Sequence, residues 1–247
     1  MPETGGLRGR RGDEDWAAHL EREEARYRDG EARLPDTRDP DTRQRQLTRL
    51  GNAAGGAGLA LLMLGRAAEA DAWLHRAADR YRESFADAPP GSWGRPIGAV
   101  KTLVLAGDWA AAEDAARWAL ETGAPEAQSP IGRYAAALAL LVLGADEQAR
   151  VHADAIRTRE DFPSAVGDAL AYLAAEDVPG YTEAAESVLE SFATREEYLE
   201  DLPVADTVLV LQALARRRGI EVELTSPLLP NPPRARARPS SAGGAPS

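Results

Sequence analysis

Three histidines, His19, His75 and His152, are the chain's only imidazoles. Each stands close to a carboxylate: His19 one helical turn from Glu23, His75 one turn from Asp71 and Asp79, and His152 near Asp154. A metal site on a helix needs two ligands at i and i+4 on one face, but no pair of histidines has that spacing and no His-Glu-x-x-His occurs. The histidines therefore read as solvated helix-surface groups in weak local pairs. With no cysteine there is no thiolate ligand, no disulfide framework and no sulfur nucleophile. Serine nucleophile and nucleotide-binding signatures, Gly-x-Ser-x-Gly and Gly-x-x-x-x-Gly-Lys-Ser/Thr, are absent as well. One glycine-rich stretch, Gly51–Gly58, could in principle cradle a phosphate ahead of a helix. It follows no strand, has no lysine nearby and lies between Leu50 and Leu59 inside a helical pattern, so close helix packing or a kink is the expectation.

Carboxylates supply the remaining candidates. Glu183, Glu186 and Glu190 fall on one face of a helical segment, and Glu196, Glu197, Glu200 and Asp201 crowd the turn before the last helix. Paired carboxylates can serve as general acid and base, but that work needs a cleft and environments that separate their pKa values. The pattern alone reads as a solvated acidic face suited to a basic partner. Trp16, Trp73, Trp93, Trp109 and Trp118 sit at helical positions and read as core anchors rather than as a platform for sugars or bases.

The elements that must position these groups are helical. The chain has 247 residues, 44% of them apolar and 28% charged, with a net charge of −11. The first twelve residues carry +2 and the last seventeen +3, so the body between them carries −16. So negative a surface repels phosphate backbones, which disfavours nucleic acid and favours basic proteins. Lys101 is the single lysine among 29 basic residues, and alanine is abundant; an acidic, lysine-poor surface of this kind also suits solubility in a salty cytoplasm. No long uncharged apolar stretch and no leader-like run occur, so the expectation is a cytoplasmic protein without membrane span or signal peptide, and without a cofactor.

From residue 43 the chain repeats a unit of two helices around a glycine. Leu47–Leu64 and Ala67–Phe85 flank Gly65, Pro96–Leu105 and Trp109–Leu120 flank Gly107, and Ile131–Leu143 and Glu147–Arg157 flank Gly144. Glycine suits the left-handed cap that ends a helix. A fourth unit, Pro163–Ala175 and Tyr181–Phe192, turns at Asp177-Val-Pro-Gly180. Ser129 before Pro130 and the capping box Thr194-Arg-Glu-Glu197 mark helix starts. A final helix, Leu202–Arg218, is apolar nearly all round and so buried, and Ile220–Leu224 is an extended segment laid over the helices. The expected fold is all-α: a helix-turn-helix repeat array of the tetratricopeptide-like solenoid type, closed by a buried C-terminal helix and a short extended tail. Residues 1–12 and 231–247 read as disordered tails, 13–42 as an outlying amphipathic helix with a linker, and 43–230 as the repeat domain.

The C-terminal part, Leu202-Pro-Val-Ala-Asp-Thr-Val-Leu-Val-Leu-Gln-Ala-Leu-Ala-Arg-Arg-Arg-Gly219 followed by Ile220-Glu-Val-Glu-Leu-Thr-Ser-Pro-Leu-Leu-Pro230, resembles the close of the immunity 49 family. Leu105-Ala-Gly-Asp-Trp-Ala-Ala-Ala-Glu113 is similar to that family's helix-turn-helix middle. The resemblance implies an immunity protein of a polymorphic toxin system, which binds and blocks a cognate toxin domain without catalysis. It also implies that Gly219, Ser226, Pro227, Leu229 and Pro230 are structural, pinning the extended tail to the helices. On this reading the protein is not an enzyme and its partner is a basic toxin domain. The partner-binding candidates are Glu183, Glu186, Glu190, Glu196, Glu197, Glu200 and Asp201. A repeat scaffold for another assembly and a helical enzyme using the clustered carboxylates are the competing readings.

Overall fold

A computed structural model describes residues 5–195, 197–198 and 202–231, with side chains from Asp15 onward. Among the described residues the regular structure is helical throughout. α1 (Gly5–Arg33) is followed by a short 3-10 turn, Leu34–Asp36. α2 (Pro40–Met63) and α3 (Ala67–Phe85) come next, then α4 (Gly94–Ala106), α5 (Trp109–Glu121), α6 (Pro130–Val142) and α7 (Asp146–Arg157). α8 (Ser164–Ala174), α9 (Val178–Ala193) and α10 (Asp206–Arg217) complete the order.

Local chemistry sets most of these boundaries. Asp39 accepts from the Thr42 amide at 2.8 Å with Pro40 at the first helical position. Ser129 does the same for α6 through Gly132, and Asp108 and Asp177 cap α5 and α9. Gly65, Gly107 and Gly144 all hold φ between 71° and 74°, the left-handed turn expected at those sites. The fourth unit departs from this: Glu176 takes the left-handed position at φ 52°, and Gly180 lies inside α9 with its amide on the Asp177 carboxylate. The expected capping box at Thr194 is also not one. Thr194 ends α9, its hydroxyl donating back to the Glu190 carbonyl at 3.1 Å.

Successive helices pack against one another from α1 to α9, and the first helices of the pairs, α2, α4, α6 and α8, also touch in series. Alanine makes this proximity possible. Ala53, Ala57, Ala77, Ala99, Ala112, Ala136 and Ala153 are all at most 1% exposed at helix contacts. The glycine-rich stretch of α2 is part of the same packing, for a Cβ on Gly51 would meet the Tyr81 ring at 2.8 Å and one on Gly58 the Leu74 side chain at 2.7 Å. α1 begins at Gly5 and joins the array through α2, where Leu20 and Tyr27 are buried; the expected boundary at residue 12 is not a helix end. Glu23 is fully buried in that contact and its charge is balanced by Arg22 and Arg26, each at 2.9 Å.

The C-terminal segment closes the structure. Residues 202–205 are not helical as expected, because the Ala205 amide donates to the Leu228 carbonyl at 2.9 Å instead of back along the chain. α10 packs on α4, α8 and α9, with Val208, Leu211 and Leu214 at most 1% exposed. Leu202 and Val204 reach back to Met63 at the end of α2. Gly219, at φ 72°, turns the chain into the extended tail, where Ile220 and Leu229 are buried and the Leu229 amide donates to the Ser226 carbonyl at 3.1 Å. The cations ending α10 serve another helix as well as their own. Arg217 donates to the Val142 carbonyl at 3.1 Å and Arg218 to the Leu141 carbonyl at 2.7 Å, capping α6, while pairing with Glu113 and Asp146 respectively.

Candidate functional site

Where the C-terminal segment crosses the first helices it leaves a half-open cleft of about 570 Å³, bordered by α2, α4, α6, the start of α8, the end of α9 and the start of α10. α2 contributes Thr48, Asn52, Gly55 and Leu59, a stripe spaced for one helical face. α4 contributes Arg95, Gly98, Lys101 and Thr102 by the same logic. Between them stands Tyr81 of α3. Its ring fits because neither neighbour has a Cβ: one on Gly98 would lie 2.7 Å from it, and one on Gly51 2.8 Å. Its hydroxyl donates to Asn52 Oδ1 at 2.9 Å on the cleft wall. Trp93, Tyr134, Phe162, Phe192 and Tyr198 make the rest of the lining largely aromatic.

Among the described residues three cations face this apolar space and one carboxylate answers them. Lys101 Nζ donates to Asp206 Oδ2 at 2.5 Å and to Thr207 Oγ1 at 3.1 Å, tying α4 to the first turn of α10. Its side chain is 13% exposed; burial, the largest effect, pulls its pKa down, but the Asp206 carboxylate and the Tyr134 oxygen together outweigh that and hold the ammonium above the ordinary lysine range. Burial also pushes the neighbouring Tyr134 phenol up, so it stays protonated. Arg95 donates through Nε to Thr48 Oγ1 at 3.2 Å and to Ser84 Oγ at 3.1 Å, and through Nη2 to Gln44 Oε1. All three acceptors are neutral, and desolvation lowers the Arg95 pKa with no carboxylate among the described residues to offset it. A guanidinium stays charged in any protein setting, so this is a half-buried cation whose partners among the described residues are dipoles only. Arg195 stands at the rim with its guanidinium 3.8 Å from the centre of the Phe192 ring. The arrangement can hold an anion on an apolar, aromatic bed.

The residues singled out in the sequence lie elsewhere. Glu183, Glu186 and Glu190 are exposed on the side of α9 opposite buried Tyr181, Ala185 and Val188, and none of them lines the cleft. Glu197 is exposed beyond α9, and Glu196, Glu200 and Asp201 fall outside the described residues. The histidines stay on three separate helices, α1, α3 and α7, and among the described residues no cluster of His, Asp and Glu could hold a metal ion. His75 bridges α3 to the cap of α5, with Nε2 3.1 Å from Asp108 Oδ2 and Nδ1 3.0 Å from the Asp71 carbonyl. Its pKa is raised, first by the Asp71 carbonyl and, against the opposing effect of burial, by Asp108. The tryptophans divide. Trp73 packs edge-on to Tyr27 and Trp118 to Phe85 as anchors, and Trp109 lies under Arg217, while Trp93 faces the cleft.

Sequence reasoning missed Arg95, Lys101 and Asp206. One signal was legible: in a chain that otherwise uses arginine for every cation, the single lysine sits in the apolar run Ile97–Leu105. Among the described residues no helix is long and apolar enough to cross a membrane. Comparison of the chain with models of protein families, with curated proteins and with solved structures finds no match.

Proposed function

We propose that this chain is a non-catalytic, protein-binding immunity protein that neutralises a cognate basic toxin domain in the cytoplasm by direct contact. The observation that carries the reading is the unneutralised stripe on α9. On the other amphipathic helices several carboxylates are matched within a turn by arginine, Arg66 with Glu69, Arg80 with Glu83, Arg117 with Asp114 and Arg157 with Asp154, although Asp79, Glu121 and Glu147 make no ion pair among the described residues. α9 contains no basic residue, and among the described residues no ion pair reaches Glu183, Glu186 or Glu190. Three like charges along one helix repel each other and weaken the helix slightly, a cost that a basic partner would reverse. The serial contact of α2, α4, α6 and α8 supports a tetratricopeptide-like stack as the frame that presents this stripe. The cleft favours the second reading, a repeat adaptor, because it offers a binding place away from the acidic face. A carboxylate enzyme has less support, since Glu183, Glu186 and Glu190 stand in solvent and do not line the cleft.

Co-expression with a toxin-type domain encoded beside the gene tests the proposal. The wild-type chain restores growth, and the triple variant Glu183→Gln, Glu186→Gln, Glu190→Gln binds with a slower association rate and a flatter salt dependence. Folding stability stays within about 0.5 kcal/mol for each exposed change. A triple variant that protects and binds like wild type across a salt series overturns the electrostatic mechanism. The absence of any toxin-type neighbour whose toxicity the chain relieves overturns the immunity reading in favour of the adaptor.

A further inference from the structure

We propose that the cleft between α2, α4 and the C-terminal segment is a binding site for a small amphiphilic organic anion, a carboxylate carried on an apolar body. Its volume of about 570 Å³ lies within the range of small-molecule sites, roughly 300–1,000 Å³. The lining matches the usual division of labour in such sites, in which apolar and aromatic walls bury the body of the ligand and a few polar groups fix its orientation.

The charge pattern selects the sign of the ligand. In a chain of net charge −11 the cleft has an excess of cations among the described residues, with Arg95, Lys101 and Arg195 facing it and, of the described carboxylates, Asp206 opposing them. Lys101 is already satisfied by Asp206 and Thr207. Arg95 is not satisfied in charge, since its bonds go to Thr48, Ser84 and Gln44 and among the described residues its Nη1 makes none. Those three bonds fix the plane of the guanidinium, which leaves a preorganised donor for a carboxylate oxygen and lowers the ordering cost of binding. Arg195 at the rim adds a second, more hydrated attraction. The acidic outer surface does not cancel this, because salt screens charges beyond about 8 Å at physiological ionic strength whereas contacts inside a cleft are screened far less.

Decanoate, decanol and decylammonium share one apolar chain and differ only in head-group charge, and their displacement of the anionic fluorophore 8-anilinonaphthalene-1-sulfonate from the full chain tests the site. Decanoate binds best and decylammonium at least tenfold more weakly. Arg95→Gln loses about tenfold in decanoate affinity, equivalent to about 1.4 kcal/mol, while decanol affinity moves by less than about twofold. Arg95→Lys recovers part of the loss, and Arg195→Gln weakens decanoate two- to threefold at low salt only. Gly94→Phe tests the location without touching a charge: a Cβ there enters open space at the cleft mouth, and the ring obstructs both decanoate and decanol. Thermal melts of each variant establish that it folds; should Arg95→Gln fail to fold, Arg195→Gln and Gly94→Phe still decide the matter. The proposal is overturned if decylammonium matches decanoate, or if Gly94→Phe leaves decanoate affinity unchanged. It also falls if a folded Arg95→Gln binds decanoate like wild type.

Discussion

Removing one partner of the Lys101–Asp206 pair should destabilise the fold asymmetrically. At ordinary hydrogen-bonding separation and an effective dielectric near 20, the attraction is of order 5 kcal/mol before desolvation, which takes most of it back and leaves a modest net gain. The asymmetry comes from exposure, with Lys101 13% exposed against aromatic walls and Asp206 30% exposed at the first position of α10. Asp206→Asn strands a buried ammonium, and the expected cost is about 3 kcal/mol. Lys101→Met strands a carboxylate that can rehydrate and that the α10 N-terminus stabilises by a further 0.3–1 kcal/mol or so, so its expected cost is about 1–2 kcal/mol. The double variant should return to within about 1 kcal/mol of wild type, giving a coupling of roughly 3–6 kcal/mol. Urea unfolding at constant m-value measures all four corners, and amide exchange in α10 should report the largest local loss for Asp206→Asn. The raised Lys101 pKa means that the contribution is complete below the ordinary lysine value of 10.5 and is lost only as pH climbs through the higher folded value. The cycle should therefore be flat between about pH 6 and 9. Equal single costs, a larger cost for Lys101→Met, or coupling under about 0.5 kcal/mol would refute the reasoning.

Gly167→Ala should cost about 2–3 kcal/mol, because its Cβ would lie 2.8 Å from the backbone N and Cα of Arg157, which cannot move aside as a side chain can. Gly94→Ala, which meets nothing within 4 Å, should change stability by less than about 0.5 kcal/mol, and chemical denaturation of the two side by side checks the contrast. His75→Gln should destabilise by about 0.5 kcal/mol at pH 6, discounted for an imidazole about a third exposed. Its pKa is raised, so the stabilisation is full below 6.5 and fades as pH rises through the folded value; melts of wild type and variant that fail to converge toward pH 9 would contradict this. Tyr181→Phe should stabilise by about 1 kcal/mol, since the fully buried hydroxyl has no hydrogen-bond partner among the described residues. A lower melting temperature for this variant would count against that accounting.

The helix order was legible in the sequence because its causes are local. Period 3.6, the serine, aspartate and proline starts and the glycines at 65, 107, 144 and 219 act within a few residues, and the structure follows them at nearly every boundary. Where local signals competed with distant partners, the tertiary structure decided. Residues 202–205 carry a helical apolar pattern but give the Ala205 amide to Leu228, and the arginines that suit the end of α10 are also spent capping α6. The acidic stripe of α9 was visible because spacing on one helix fixes a face, whereas the cleft was not, since Arg95, Lys101 and Asp206 come together only when α10 returns to α4 across more than a hundred residues. A sequence states which groups share a helix face. Only packing decides which faces meet, and so whether a lone lysine or a half-buried arginine finds a carboxylate in the chain or leaves a charge for something else to answer.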